Sequence, residues 1–202
     1  MKLNNRLLTK AGELFFKYGI KSISMDDLAH ELGISKKTVY QTVKNKKDLI
    51  TQVFENHIQK EVDALEKIHE NSTDAIDEMI GVAEFIIPTL RQLTPTFLFD
   101  MRKYYPEIWQ YMEDYNQKMV FQMIKENIER GVKEEIYRDE FHAEIIAQLY
   151  VGKTMCLIDE DTFPLQKYNK ENLFKEHIKY HVRGIATKKG LRLFEKHFKK
   201  LK

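Results

Sequence analysis

The chain of 202 residues has one cysteine, Cys156, and four prolines, and it has no long apolar run. A single thiol excludes an intrachain disulfide and fits a reducing compartment. Its neighbours Met155 and Leu157 predict a buried structural thiol. The longest apolar stretch, around Val82 to Ile87, is far short of the roughly 20 residues needed to cross a bilayer. The N-terminus has Lys2 and Arg6 but only Leu7-Leu8 as an apolar run between polar groups, which lacks the pattern of a signal peptide and predicts a soluble, cytoplasmic protein. No sustained apolar–polar alternation argues for a sheet. There is no glycine-rich phosphate loop, nucleophile elbow or Cys–His motif, so no catalytic residue and no cofactor is expected. His177 and His181 lie four apart on one helical face, but no further ligands accompany them. They are read as surface or interface histidines, with no metal.

What is present is apolar and helical. Apolar residues make up 43% of the chain and aromatics 11%, enough for a real core. Stripes with a helical period recur at Leu7–Tyr18, Ile50–Leu65, Ile76–Ile87, Ile108–Met123, Ile145–Cys156 and Leu173–Ile185. The fold class is therefore all-α. Pro88, Pro95 and Pro106 predict a kink or stop near 88, a short helix over about 95–103, and a fresh start at 106. Residues 159–170, with Pro164, read as a loop. The net charge of +2 hides a pattern: residues 1–60 carry +5, residues 61–182 carry −10 and residues 183–202 carry +7. A basic head on an acidic body points to a polyanion met by part of the surface.

Residues 24–48 carry the chemistry. Ser24 can cap a helix, with Asp27 three positions on in a capping-box position. Gly33 follows Leu28, Ala29 and Leu32 as a helix stop. Ile34 is read as a buried turn residue, and Ser35 caps a second helix from Lys36 to about Val43. Helix, glycine turn and helix make a helix-turn-helix. Asn45, with Asp48 three residues later, caps a long helix. Lys36, Lys37 and Thr38 stand at the end of the second helix that enters a major groove, placed for base edges. Tyr40 and Lys46 are placed for phosphates, and Ser24, Ser35 and Gln41 complete the candidate DNA-contacting set.

The stretch GIKSISMDDLAHELGISKKTVYQTVKNKKDLI resembles the DNA-binding region of TetR-family transcriptional regulators. The preceding LLTKAGELFFKYGIKSIS resembles that family's first helix. The match is strong over about residues 5–55, with Tyr40 and Lys46-Lys47-Asp48-Leu49 as counterparts of family features. Val43 departs from it, since the family often has an aromatic there; a smaller side chain leaves more room under the recognition helix. The resemblance implies a three-helix DNA-binding domain over 1–48 and a helical effector-binding and dimerisation domain over 49–202. It also implies double-stranded operator DNA, a homodimer and repression relieved by a small-molecule effector. The rival is a helical ligand-binding protein or enzyme with a vestigial head.

For the effector, the segment 85–123 combines helix breaks with adaptable apolar groups. Phe85, Phe97, Met101, Tyr105, Trp109, Met112 and Met119 are the candidate lining, for a neutral or cationic apolar molecule. For the dimer face, Ile145, Leu149, Gly152 and Cys156 on one helix and Phe174, Ile178 and Val182 on the next would form a two-fold four-helix bundle. The basic tail, with Leu191, Leu193, Phe194, Phe198 and Leu201 among its lysines, is read as a final helix docked on the acidic body.

Overall fold

The computed structural model describes residues 3–164 and 166–201, and only the backbone of Asn116 and Lys200. Eleven α-helices account for most of the described residues: α1 (Leu3–Tyr18), α2 (Met25–Leu32), α3 (Lys36–Tyr40), α4 (Lys46–Asn71), α5 (Ala75–Gln92), α6 (Pro95–Tyr104), α7 (Pro106–Tyr115), α8 (Phe121–Lys133), α9 (Ala143–Leu157), α10 (Lys170–Ile185) and α11 (Lys188–Phe198). A π-helical turn, Asn116–Val120, joins α7 to α8. The one extended pairing among the described residues is an isolated bridge between Tyr137 and Ala186. The all-α class holds.

The helices form two compact units, and the division does not fall at the expected residue 48. One unit is Met1–Ala64 with Gln92–Gln110; the other is Leu65–Arg91 with Tyr111–Lys202. The head unit thus takes in α6. Thr94 caps α6 and also donates its hydroxyl to the Phe16 carbonyl at 3.0 Å. Phe97 packs 4.6 Å from Phe16 and 6.0 Å from Phe54, ring centre to ring centre. Phe97, Leu98 and Met101 are buried beside Leu7, Phe15, Leu28 and Ile50 in this unit. Phe97 and Met101 are therefore core residues of the head, a correction to their assignment as effector lining.

The body unit packs α5, α8, α9, α10 and α11 around Ile76, Met79, Ile80, Ile124, Ile128, Phe174, Ile178 and Val182. Its polar hinge is Glu78, which is buried. Glu78 accepts from Asn127 Nδ2 at 3.0 Å and Arg130 Nη1 at 3.1 Å, and pairs with His69 Nδ1 at 2.7 Å. Glu134 accepts the Ala75 N–H at 2.9 Å, which ties the end of α8 to the start of α5. Such groups must be bonded once buried, since an unmade bond there costs about 1–3 kcal/mol.

Several expectations change. α5 runs through Pro88 without stopping. The carbonyl that proline leaves unpaired belongs to Glu84, and both residues are exposed, so water can take its place. α3 ends at Tyr40, and Thr42 and Val43 both donate back to Val39 O in the turn that follows, at 2.9 and 3.2 Å. Ile34 is half-buried, Val43 is buried, and Cys156 is exposed. Phe174, Ile178 and Val182 pack inside this chain's own core rather than on an outer face. α9 ends at Leu157 and α10 begins at Lys170, which is helical rather than the last loop residue; it is buried, and its Nζ donates to Leu157 O at 3.0 Å.

His177 and His181 are likewise buried, not on the surface. Both rings pack against Tyr150, His177 tilted at 4.5 Å and His181 edge-to-face at 4.9 Å. The Thr154 hydroxyl donates to Tyr150 O, so its lone pair faces His177 Nε2 at 3.3 Å. His181 Nε2 is buried with no partner among the described residues. Burial, helped by Lys153, lowers His177 to about 4; burial, then His177 and Lys153, lowers His181 to about 3. The unfolded chain therefore binds more protons than the folded one once the pH drops below 6.5, and stability is lost from there down to the folded values. Replacing His181 by Phe removes this penalty. Followed by circular dichroism, the wild-type melting temperature should fall about 5–10 °C further than the variant's between pH 7 and pH 4.5. Parallel curves would refute the assignment.

Candidate DNA interface

The recognition element is built by local hydrogen bonds. Ser24, in extended conformation before α2, accepts the Asp27 N–H at 3.1 Å, and Asp27 accepts the Ser24 N–H at 2.7 Å. This pairing holds Asp27 below the usual carboxylate range. Gly33 closes α2 at φ +65, the left-handed region that glycine enters without strain. Ser35 accepts the Thr38 N–H at 3.1 Å and shares a 2.8 Å contact with the Thr38 hydroxyl. Asn45 accepts the Asp48 N–H at 2.9 Å, and Asp48 in turn accepts from Lys44 N at 2.7 Å. Beneath the turn, Leu28, Val39, Val43 and Leu49 are buried, which fixes α3 against α2 and α4.

The outward side chains then fall into groups. Lys37 and Gln41 are exposed, with no bonded partner among the described residues; Tyr40 is 44% exposed. Lys36 is exposed but pairs with Asp26 of α2 at 2.7 Å, which raises its pKa. Thr38 is half-buried, and its hydroxyl faces Ser35. Ser24 and Ser35 are engaged as caps. Lys46 is half-buried; desolvation lowers its pKa against the opposing pull of Asp100 and Asp27. Lys44 is exposed beside the start of α4, and Lys47 pairs with Glu107 at 2.5 Å. The face thus presents Lys37, Tyr40, Gln41 and Lys44 openly and holds Lys36 in reserve on a solvent-exposed acid. Such a pair exchanges readily for phosphate because water already screens it.

Two features of this site were not anticipated. Asp26 is the anchor of Lys36; it was legible as the first-turn acid of α2, although its partner lies ten residues on. Asp100 is not legible locally. It is buried, and it accepts the Lys21 N–H at 2.8 Å across 79 residues. Lys21 Nζ also bonds Tyr104 OH at 3.1 Å and lies 4.2 Å over its ring. The remaining candidates divide between the units. Tyr105 and Trp109 belong to the head unit, with Arg102 4.7 Å over the Trp109 ring. Phe85, Met112 and Met119 belong to the body. On α9, Ile145 is 57% and Leu149 51% exposed, with Gly152 and Cys156 exposed on the same side.

A capped helix, glycine turn and second helix with an open cationic face make a helix-turn-helix, the arrangement whose second helix enters a major groove. Residues 7–53 match the family described as bacterial regulatory proteins, tetR family. The whole chain shares its fold with solved regulators. A transcriptional regulator from Cytophaga hutchinsonii has TM-score 0.72 and 16% identity over 91% of this chain and 98% of its own. The fatty acid degradation regulator FadR from Bacillus halodurans has TM-score 0.68 and 16% identity over 90% and 95%. A putative transcriptional regulator from Saccharomonospora viridis, solved with choline, has TM-score 0.65 and 20% identity over 92% and 98%. No curated protein matches the sequence. The family match thus lies on residues 7–53, and the likeness to the solved regulators, none above 20% identity, shows a shared fold.

The roles of the head residues are testable. Lys46→Ala should weaken binding to all duplexes about equally and flatten the salt slope by about one. Lys37→Ala should instead change sequence preference, costing roughly 1–3 kcal/mol on the best site. Equal, sequence-independent losses in both variants, measured by anisotropy titration against a duplex library, would reject this division.

Proposed function

We propose that the protein is a homodimeric, non-enzymatic cytoplasmic repressor released from operator DNA by a small-molecule effector. The observation that carries this is the union of α6 with the reading head. Asp100–Lys21, Thr94–Phe16 and the Phe97 contacts make α6 and the helix-turn-helix one body, so a ligand that displaces α6 displaces the recognition helix. Two heads read successive major grooves only when their spacing is about 34–36 Å or a multiple of it, so a shift of a few ångströms weakens binding. DNA-contacting residues remain Lys36, Lys37, Thr38, Tyr40, Gln41 and Lys46, with Ser24 and Ser35 positioning them.

For the second subunit, the exposed α9 stripe of Ile145, Leu149, Gly152 and Cys156 supports a two-fold contact. With Phe174, Ile178 and Val182 turned inward, the α10 contribution passes to Tyr180, which is 68% exposed, and Gly184, which faces open space. For the effector, we retain Phe85, Met112 and Met119 of the body; Met119 lies within the π-helical turn, a feature frequent at functional sites. The regulator from S. viridis solved with choline supports a small molecule in this class and agrees with a neutral or cationic ligand for an acidic body.

Fragmented genomic DNA, including the DNA flanking the coding region, should contain a fragment that the protein retards in a gel shift. No retarded fragment at any salt would favour a helical ligand-binding protein with a vestigial head. Leu149→Asp should sediment as a folded monomer and lose tight operator binding, because it places an unpaired charge in the contact. A wild-type monomer at micromolar concentration would refute the dimer. A true effector should change Trp109 fluorescence and release DNA over one concentration range, and Met112→Trp should abolish release while preserving DNA binding.

A further inference from the structure

The C-terminal helix α11 docks through apolar groups and one imidazole, not through its lysines. Phe194, His197 and Leu201 are buried in the body, and His197 Nδ1 lies 3.0 Å from Asp77 Oδ1. Among the described residues, the tail's contacts with carboxylates of the acidic body are those of His197 with Asp77 and Asp74. Lys188, Lys189, Arg192, Lys196 and Lys199 face outward. Among the described residues, Lys188, Arg192 and Lys196 have no ion-pair partner, and Lys189 Nζ donates to the Glu134 carbonyl at 2.9 Å. Elsewhere in the body unit Arg91, Lys125, Arg130, Lys170 and Lys175 are all matched to carboxylates. Lys188, Lys189, Arg192, Leu193 and Lys196 line an open groove of about 430 Å³.

The positions 188, 192, 196 and 199 lie within a sector of about 100° and span roughly 16 Å at the helical rise of 1.5 Å per residue. A straight row of cations of this length can run beside a short stretch of one strand's phosphates, each neutralised by one side chain. A membrane surface is a poor match, because a helix lying in a bilayer must offer its apolar face, and that of α11 is used in the core. An acidic peptide is a poor match too, since Leu193 is the sole apolar group of the groove and there is no pocket for an anchoring side chain. We infer that the outer face of α11 is a second, sequence-independent DNA contact, made through phosphates and separate from the helix-turn-helix.

The test uses the full-length protein and a fluorescent mixed-sequence 60-bp duplex, with anisotropy read between 50 and 300 mM KCl. Lys188→Gln/Arg192→Gln/Lys196→Gln changes only exposed side chains, and an unaltered circular dichroism melt confirms the fold. The slope of log K against log salt should fall in magnitude by about 2–3, at roughly 0.9 for each phosphate no longer neutralised. A weakening seen with 60-bp but not 20-bp duplex assigns the contact to flanking DNA. Capture of a second labelled duplex by bead-bound complexes, abolished in the triple variant, assigns it to a bridged duplex; either supports the inference. An unchanged slope overturns it. So does an unchanged slope accompanied by loss of binding to phosphatidylglycerol vesicles or polyglutamate, which would give the face to a lipid or an acidic protein.

Discussion

Asp100 lies almost wholly out of solvent, and the Lys21 N–H at 2.8 Å meets its carboxylate. The head's architecture depends on that contact. Lys21 follows the turn that ends α1, and the chain reaches it through Gly19 at φ +84. A Cβ at Gly19 would stand 2.6 Å from Thr96 Cγ2 and 3.1 Å from Asp100 Oδ2, so the glycine supplies both the left-handed turn and the space for α6. With α6 seated, Thr94 bonds Phe16, Phe97 fills the space between Phe16 and Phe54, and the loop ahead of α2 is held from behind. An uncompensated carboxylate at such depth is costly, so the α1–α2 turn and α6 stay together or the head loosens.

The charges divide by partnership more than by number. In the head, Lys10, Lys36 and Lys47 rest on Glu31, Asp26 and Glu107, all through exposed side chains. These pairs orient cations without committing them, because water and salt already weaken the attraction. Lys37 and Lys44 are left open to solvent. The body behaves differently: Arg130 bridges Glu78 and Glu134, while Arg91 and Lys175 share Glu171, whose pKa is driven down to about 2 by Arg91 and Lys175. The acidic balance of residues 61–182 is therefore partly structural. On α11, Lys188, Arg192 and Lys196 stand in one row without an ion-pair partner among the described residues, which is why its outer face reads as a surface for another molecule.

The helix-turn-helix was legible because everything that makes it is short-range. Ser24 with Asp27, Gly33, Ser35 with Thr38, and Asn45 with Asp48 are contacts over three or four residues, each with a residue type suited to its place. Helix existence was legible for the same reason, since a 3.6-residue stripe is a local property. A stripe does not say what it packs against. Phe97 and Met101 read equally well as pocket lining or as core, and only the fold buried both and set Phe97 against Phe16 and Phe54. Phe174, Ile178 and Val182 formed as good an outer face on paper as Ile145 and Leu149 did, yet the first three close this chain's core and the last two remain exposed.

By itself the sequence determined the all-helical class, the caps and the cationic reading edge, because those follow from neighbours along the chain. The tertiary structure decided that α6 belongs to the head, that His177 and His181 are buried and Cys156 is not, and that the lysines of α11 turn away from the acidic body. Each of these depends on the other side of a packed interface. Burial and partnership are set by residues tens of positions away, as Asp100 and Lys21 are, and no local pattern records them.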